Sequence, residues 1–465
     1  MPKIGDPIVI IGAGPAGLTA AFDLAERGCP AVVLEKDALP GGLARTETYK
    51  GFRFDIGGHR FFTRNPEVKR LWHGLLGRDF LLVERLSRIF YRNKFFRYPL
   101  DLADTLINLG PWESLLVAAS FLRTRVTPRP REETFEQWVV NRFGRRLYLA
   151  FFKSYTEKVW GLPCSSLGAE LAAQRIKGLS LRSVLSQALF RTNSSKSLIR
   201  HFHYPVRGPG ILWQRMLDRV RRGGGRVRFR AEVVRFHHDH GQIRNVWVKK
   251  GDRREVVSGR AFISTMPLSE LISCLDPPPP VLVREAARRL RHRAFILVGL
   301  ILSRKSIFPD QWIYIHAPRF QVGRVQNYKN WSPSMAADQA KTSLGMEYFC
   351  TQGDETWRLS DRTLIELASR ELAGLGLARS EDVEDGVVFR QRSAYPVYDL
   401  EYRTHLKVIR RYLSHFRNFQ TIGRNGLHSY IDQDHSTFTA LRAVDNLFGA
   451  SHDLWDLIDG RNSLE

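Results

Sequence analysis

Cysteine is scarce in this 465-residue chain, and its four cysteines are far apart. Cys29, Cys164, Cys274 and Cys350 form no CxxC pair and no short disulfide spacing, which excludes a zinc ribbon or a disulfide scaffold and makes a reducing compartment the simplest setting. No metal ligand set is assigned. Long apolar runs are missing as well: residues 115–122 and 295–302 are the longest, far below the roughly 20 residues that cross a bilayer. No signal-peptide pattern precedes the first apolar strand, so the expected location is cytoplasmic, or peripheral at the inner face of a membrane. Acidic residues are in deficit, 47 against 71 Lys+Arg, leaving a net charge of +24. Such a balance predicts attraction to phosphates, anionic lipid or nucleic acid. The arginine clusters at 219–230 and 284–293 lie among apolar residues at helix or strand spacing, as solvated faces do. An anionic membrane remains a candidate contact, whereas nucleic acid has no recognisable reading head. The oligomeric state is not legible.

What the chain does have is concentrated at its start. Residues 7–35 read PIVIIGAGPAGLTAAFDLAERGCPAVVLE. Val9, Ile10 and Ile11 make a short buried strand, Gly12, Gly14 and Gly17 stand at GxGxxG spacing, and Ala16, Leu18, Ala21, Leu24 and Ala25 repeat at helical period. The first glycine makes the tight turn, the second admits a pyrophosphate to the backbone N–H groups, and the third lets helix pack on strand at the positive end of its dipole. A second strand at 31–34 ends in Glu35, where a carboxylate can accept both ribose hydroxyls. The pattern predicts an α/β, Rossmann-type dinucleotide-binding domain.

LPGGLART follows at 39–46, with Gly41 and Gly42 allowing close backbone approach and Arg45 able to reach a diphosphate. A second glycine pair so soon suits an extended FAD better than NAD. GFRFDIGGHRFF, at 51–62, places Gly57 and Gly58 against a flat ligand and His59 beside it, although a histidine in an aromatic strand is often simply a satisfied core residue.

From about 65 to 203 the pattern turns helical, with aromatic clusters FFRYP and KSYTEKVWGL that are either core filling or a platform for a planar substrate group. Arg175 follows in AELAAQRIKGL, and spacing alone leaves it an ordinary surface arginine. Short strands are expected over 226–264, the proline run 277–280 marks a boundary, and a second sheet without a glycine fingerprint is expected from 295 to 392. A strand at 419–423 then leads through GRNGLHSYIDQDHS into a helix, a second N-terminus able to cover the ligand from the other side. The expected division is a discontinuous FAD-binding domain (1–75, 204–285 and 415–465), a mainly helical substrate domain (76–203) and a mixed-sheet substrate domain (286–414).

GAGPAGL, GGLART, FDIGGH, FRYP, KVWGLP and above all GRNGLHSYIDQDHS resemble the UDP-galactopyranose mutases, within the wider amine-oxidase and protoporphyrinogen-oxidase-like flavoproteins. The likeness runs through most of the chain in the same order. It implies a glutathione-reductase-like FAD domain, with Gly12, Gly14, Ala16, Gly17, Glu35, Gly42, Arg45, Gly57, Gly58, His59, Val233, Gly423, Arg424, Asp432 and Gln433 around the cofactor. It further implies that reduced flavin attacks the anomeric carbon of a nucleotide-linked sugar, which opens and recloses in the other ring form for glycan biosynthesis. An electron donor, NAD(P)H among the candidates, is then needed only once. Arg175 and Arg324 align with arginines that grip the substrate diphosphate, His59 with a histidine beside the flavin, and Tyr98, Trp160, Tyr395 and Tyr430 with the substrate side. The alternative is a true FAD-dependent oxidoreductase of the protoporphyrinogen oxidase, carotenoid desaturase or amine oxidase type, working on an apolar substrate at a membrane.

Overall fold

A computed structural model describes residues 6–127, 131–176 and 201–458. The N-terminal strand Ile8–Ile11 is buried at every position, and the helix Pro15–Glu26 opens on a proline, whose missing N–H costs nothing in the first turn. Ala31–Leu34 returns parallel to the first strand, in register from Ile8 opposite Ala31 to Ile11 opposite Leu34. The sheet is completed from distant parts of the chain. Its order is Phe419–Thr421, Ala261–Ser264, Ile8–Ile11, Ala31–Leu34 and Arg226–Arg228, and every neighbouring pair is parallel. The helices Pro15–Glu26 and Gln433–Leu447 pack on each other, so the first and last helices of the fold start side by side.

A second sheet has seven strands in the order Val383–Pro396, His292–Leu302, Thr342–Cys350, Arg324–Asn327, Trp312–Ile315, Ser87–Tyr91 and Lys94–Arg97. It is mixed, because Trp312–Ile315 runs parallel to Ser87–Tyr91 while the other pairs are antiparallel. Helix Asp361–Gly374 covers one face, where Ile296, Val298, Leu300, Leu364 and Leu372 form a core. On the other face Phe295 and Leu297 pack with Tyr328 of a following turn, and Phe295 reaches the site.

The helical expectation for 76–203 holds over Leu102–Leu109, Pro111–Val126, Phe135–Leu147, Ser154–Trp160 and Ala169–Arg175. It is corrected over 80–97. There Phe80–Glu84 pairs with His201–Pro205, and the hairpin of Ser87–Tyr91 and Lys94–Arg97 joins the seven-stranded sheet. The hairpin turns on Arg92 and Asn93, both at positive φ (47° and 59°), a two-residue turn that usually advertises itself by glycine. The end of that helical stretch, 177–200, lies outside the described residues. Among the described residues no helix is long and apolar enough to cross a membrane.

Candidate active site

The two sheets enclose a cavity of about 1210 Å³, more than the roughly 300–1,000 Å³ that one small ligand fills. Gly12, Gly14, Ala16, Glu35 and Gly42 line one end. Gly12 has φ +101°, and a Cβ there would meet Thr265 Oγ1 at 2.0 Å. A Cβ on Gly42 would stand 3.0 Å from Gly14 Cα, so the two glycine motifs lie backbone against backbone. Gly17 does not reach the wall. A Cβ on it would strike the Gly12 carbonyl at 1.9 Å, which makes Gly17 the contact that packs helix on strand.

Glu35 is 6 % exposed, and each carboxylate oxygen accepts one backbone N–H, Oε2 from Ala13 at 2.6 Å and Oε1 from Asp37 at 2.8 Å. Burial raises its pKa and these two bonds pull it back down. The remaining lone pairs of both oxygens are available to ribose hydroxyls. From the other side come Gly423, whose added Cβ would lie 2.8 Å from that of Ala16, then Arg424, Asp432 at the start of the last helix, and Gln433. Gln433 is buried with its Oε1 unpaired among the described residues. Val233 closes the wall as a buried apolar side chain. Two helix starts, an acid for the ribose, glycines that no Cβ could replace and an orphaned amide oxygen fit a flavin dinucleotide. Among the described residues no three His, Cys, Asp or Glu side chains are grouped to hold a metal.

Arg45 lines the cavity and also braces the glycine turn, its Nε donating to Glu47 at 2.6 Å and an NH group to the Gly42 carbonyl at 3.0 Å.

Gly57, Gly58 and His59 form the middle of the wall. His59 donates its Nε2–H to the Ile56 carbonyl at 2.9 Å, and burial pushes its pKa down to about 4, leaving a neutral ring with Nδ1 as acceptor. The Arg324 guanidinium lies against these glycines, 3.8 Å from the place of a Gly57 Cβ and 3.5 Å from that of Gly58. Its Nε and an NH group both reach Glu347 Oε2 at 2.7 Å, and Glu347, fully buried on the adjacent strand, also accepts from Gln326 at 2.7 Å. Arg324 is thus a fixed cation.

The far end is a ring of tyrosines. Arg175, the last residue of its helix, donates to the Tyr430 hydroxyl at 2.7 Å and lies over that ring. Tyr430 and Tyr395 stack at 5.7 Å, and Arg424 lies over both. Tyr98 packs on Tyr314 at 4.8 Å, which also meets Tyr155 at 5.4 Å. All of these line the same cavity. Trp160 does not: it is buried behind Tyr395 and Tyr430, at 6.2 and 5.5 Å, and acts through them rather than by touching a ligand. Sequence reasoning passed over Tyr155, Tyr314, Arg60, Arg85 and Glu347 as site residues. For Glu347 the signal existed, a lone carboxylate inside the apolar strand TSLGMEYFC.

Comparison with known proteins accords with this geometry. The crystal structure of reduced UDP-galactopyranose mutase superposes with a TM-score of 0.85 at 22 % identity, covering 98 % of this chain and 99 % of that one. Wild-type putrescine oxidase bound to putrescine gives 0.61 at 18 % identity, covering 96 % of this chain and 99 % of that one. In sequence, the zeta-carotene-forming phytoene desaturase of Myxococcus xanthus is 25 % identical over 66 % of this chain and 62 % of its own length. The "Probable UDP-galactopyranose mutase" of Klebsiella pneumoniae is 29 % identical over 35 % of this chain and 43 % of its own. The chain therefore spans less than two thirds of the length of these curated relatives. The family described as flavin containing amine oxidoreductase matches residues 15–424, and this chain belongs to it.

Proposed function

We propose that this flavoenzyme is a mutase that interconverts the pyranose and furanose forms of a nucleotide-linked sugar. The observation that carries the reading is the cationic wall: Arg175 and Arg324 face one cavity from different elements, with Tyr155 and Tyr314 as electrostatic neighbours of both. An apolar polyene would leave the N–H groups of these guanidiniums that Glu347 and Tyr430 do not take desolvated and without acceptors, whereas a diphosphate accepts from them. When bound and reduced, the flavin supplies the nucleophile. Arg175 holds the departing diphosphate with an N–H fork whose opposite side rests on Tyr430. Arg324, braced by Glu347, holds fixed charge where the glycine pair brings the backbone closest. His59 stays neutral and keeps an acceptor towards the ligand. NAD(P)H is the proposed donor, needed once.

The test incubates dithionite-reduced, FAD-loaded protein with UDP-galactopyranose and, separately, with UDP-galacturonate in the pyranose form, and separates the two ring forms by chromatography. Interconversion of either without net consumption of reductant supports the mutase; conversion of neither overturns it.

The competing reading is an oxidoreductase at a membrane, and one observation bears on its membrane part. Ile107, Trp112, Leu115, Leu122 and Val126 are 60–81 % exposed on the hairpin of helices Leu102–Leu109 and Pro111–Val126. With Arg123 and Arg125 exposed at the end of this face and a net charge of +24, we assign it to peripheral contact with an anionic membrane. That contact suits either chemistry.

A further inference from the structure

Eight arginines line the cavity. Arg45 and Arg324 each have a carboxylate at 2.6–2.7 Å, and Arg424 has Asp432 at 3.8 Å. Arg60, Arg85 and Arg175 have none within ion-pair distance among the described residues, although all three line the cavity. The stretch 177–200, which follows Arg175, contains no aspartate or glutamate. Arg60, Arg85 and Arg175 are gathered around one side chain, since all three are charged neighbours of Tyr98. Arg60 is also a neighbour of Arg85, and burial followed by that charge pulls the Arg85 pKa down. Among the described residues Arg85 is poorly satisfied: its Nε is buried with no partner there, and its one hydrogen bond reaches the Tyr98 carbonyl at 3.5 Å. Like charges brought together in a half-buried place, with donors left over, cost stability unless an anion completes them.

The site exceeds the needs of one diphosphate. Arg175 and Arg324 already offer two guanidinium forks, and Arg60 and Arg85 add donors on the same wall. We infer that Arg60 and Arg85 form a second anion site beside Arg175, which takes a carboxylate or phosphate that the substrate carries in addition to its diphosphate. This rests on the nucleotide-sugar reading and narrows it: the sugar is acidic, a uronic acid or a sugar phosphate. The same chemistry is offered by the 2′-phosphate of NADPH, so the test includes that source.

The experiment is calorimetric titration of FAD-loaded, oxidised protein with UDP, UDP-galactose, UDP-galacturonate, NADH and NADPH, for wild type and for the double variant Arg60→Gln/Arg85→Gln. We expect UDP-galacturonate to bind about ten- to a hundred-fold tighter than UDP-galactose, as one added charge-assisted contact allows. In the double variant that ratio collapses towards one, and the ligand-free variant melts at or above the wild-type temperature because repulsion has been removed. If UDP binds and the acidic sugar has no advantage, the second site is wrong while the nucleotide-sugar reading stands. If no uridine nucleotide binds, both fall. If the substitutions erase a preference for NADPH over NADH and leave the sugar ratio alone, the anion belongs to the reductant and the substrate assignment is overturned. A double variant that melts well below wild type makes the arginines structural, which also overturns it.

Discussion

Arg175 and Tyr430 are 255 residues apart in sequence and joined by a 2.7 Å hydrogen bond, with the guanidinium carbon 4.9 Å from the ring centre. The bond fixes one edge of the fork and leaves the other N–H groups for a ligand. Arg175→Ala should therefore cost roughly 2–4 kcal/mol of barrier, a rate loss of about thirty- to a thousand-fold, with normal FAD content. Arg175→Lys should rescue little, because a point charge does not reproduce the fork. Tyr430→Phe keeps the ring and loses the hydroxyl, so a loss of about three- to ten-fold is expected. Near-wild-type turnover in Arg175→Ala would remove this arginine from the site.

Arg324 has a different dependence, because its partner Glu347 is fully buried. Deleting either member strands a charge, so Arg324→Ala and Glu347→Ala should each cost about 3–5 kcal/mol of stability. The double variant Arg324→Met/Glu347→Leu should recover most of that stability and none of the turnover. If the double variant is both stable and active, the pair serves the fold and not the reaction.

The parts of this site that were legible in sequence are those where backbone geometry dictates residue type. Gly12 at its positive-φ turn and Gly14 against Gly42 stand where backbone geometry asks for glycine, and Glu35 ends its strand holding two backbone N–H groups at the same end of the cavity. Arg175 did not read directly, since a helix-terminal arginine looks alike whether it meets solvent or Tyr430. Tyr155 lies in a stretch that reads equally as core filling or as a platform, and it meets Tyr314, 159 residues away, at 5.4 Å only in the folded chain. The hairpin at 87–97 was missed because Arg92 and Asn93 make its turn without glycine. Trp160 was placed one layer too far forward, for a sequence cannot tell a wall from the support behind it.

Glu35 gives a prediction independent of substrate. Its oxygens hold the Ala13 and Asp37 N–H groups and face the ribose position, so Glu35→Ala loses both the ligand bonds and the order of the loop. FAD affinity should fall about ten- to a hundred-fold, read as the flavin-to-protein absorbance ratio after dialysis. A fully yellow Glu35→Ala protein would contradict the assignment.

Asp55 predicts a pH signature in stability. It is buried, accepts hydrogen bonds from Tyr204 and Thr46, and burial pushes its pKa from 3.8 up to about 7. As pH rises from about 4 to about 7 the unfolded chain releases this proton while the folded chain retains it, so stability is lost over that window and levels off above it. His59 acts in the opposite sense between about 4 and 6.5, because its depressed pKa makes stability fall as pH falls. Asp55→Asn removes only the first contribution. Its stability relative to wild type should improve by up to about 3 kcal/mol from pH 4.5 to pH 8, measured by urea unfolding. A constant difference across that range would show that the carboxyl titrates normally.

The exposed hairpin face is tested by what it binds. Trp112, Leu115, Leu122 and Val126 recur at helical spacing along one side of Pro111–Val126, while Val117 packs inward, so the stripe is a face and not a scatter of single residues. If it enters a lipid surface, vesicles containing anionic lipid should sediment the protein at low salt. Recruitment should weaken as ionic strength approaches 0.15 M, where the Debye length falls to about 8 Å. Trp112→Ser/Leu115→Ser should lower the partition coefficient about ten-fold or more, since each buried apolar side chain contributes about 1.5–3 kcal/mol. Arg123→Gln/Arg125→Gln should instead flatten the salt dependence, because they act through charge alone. Equal binding to neutral and anionic vesicles would sink the assignment. So would a dimer in solution that the Trp112→Ser/Leu115→Ser substitutions dissolve, for then a second copy of the chain covers this face.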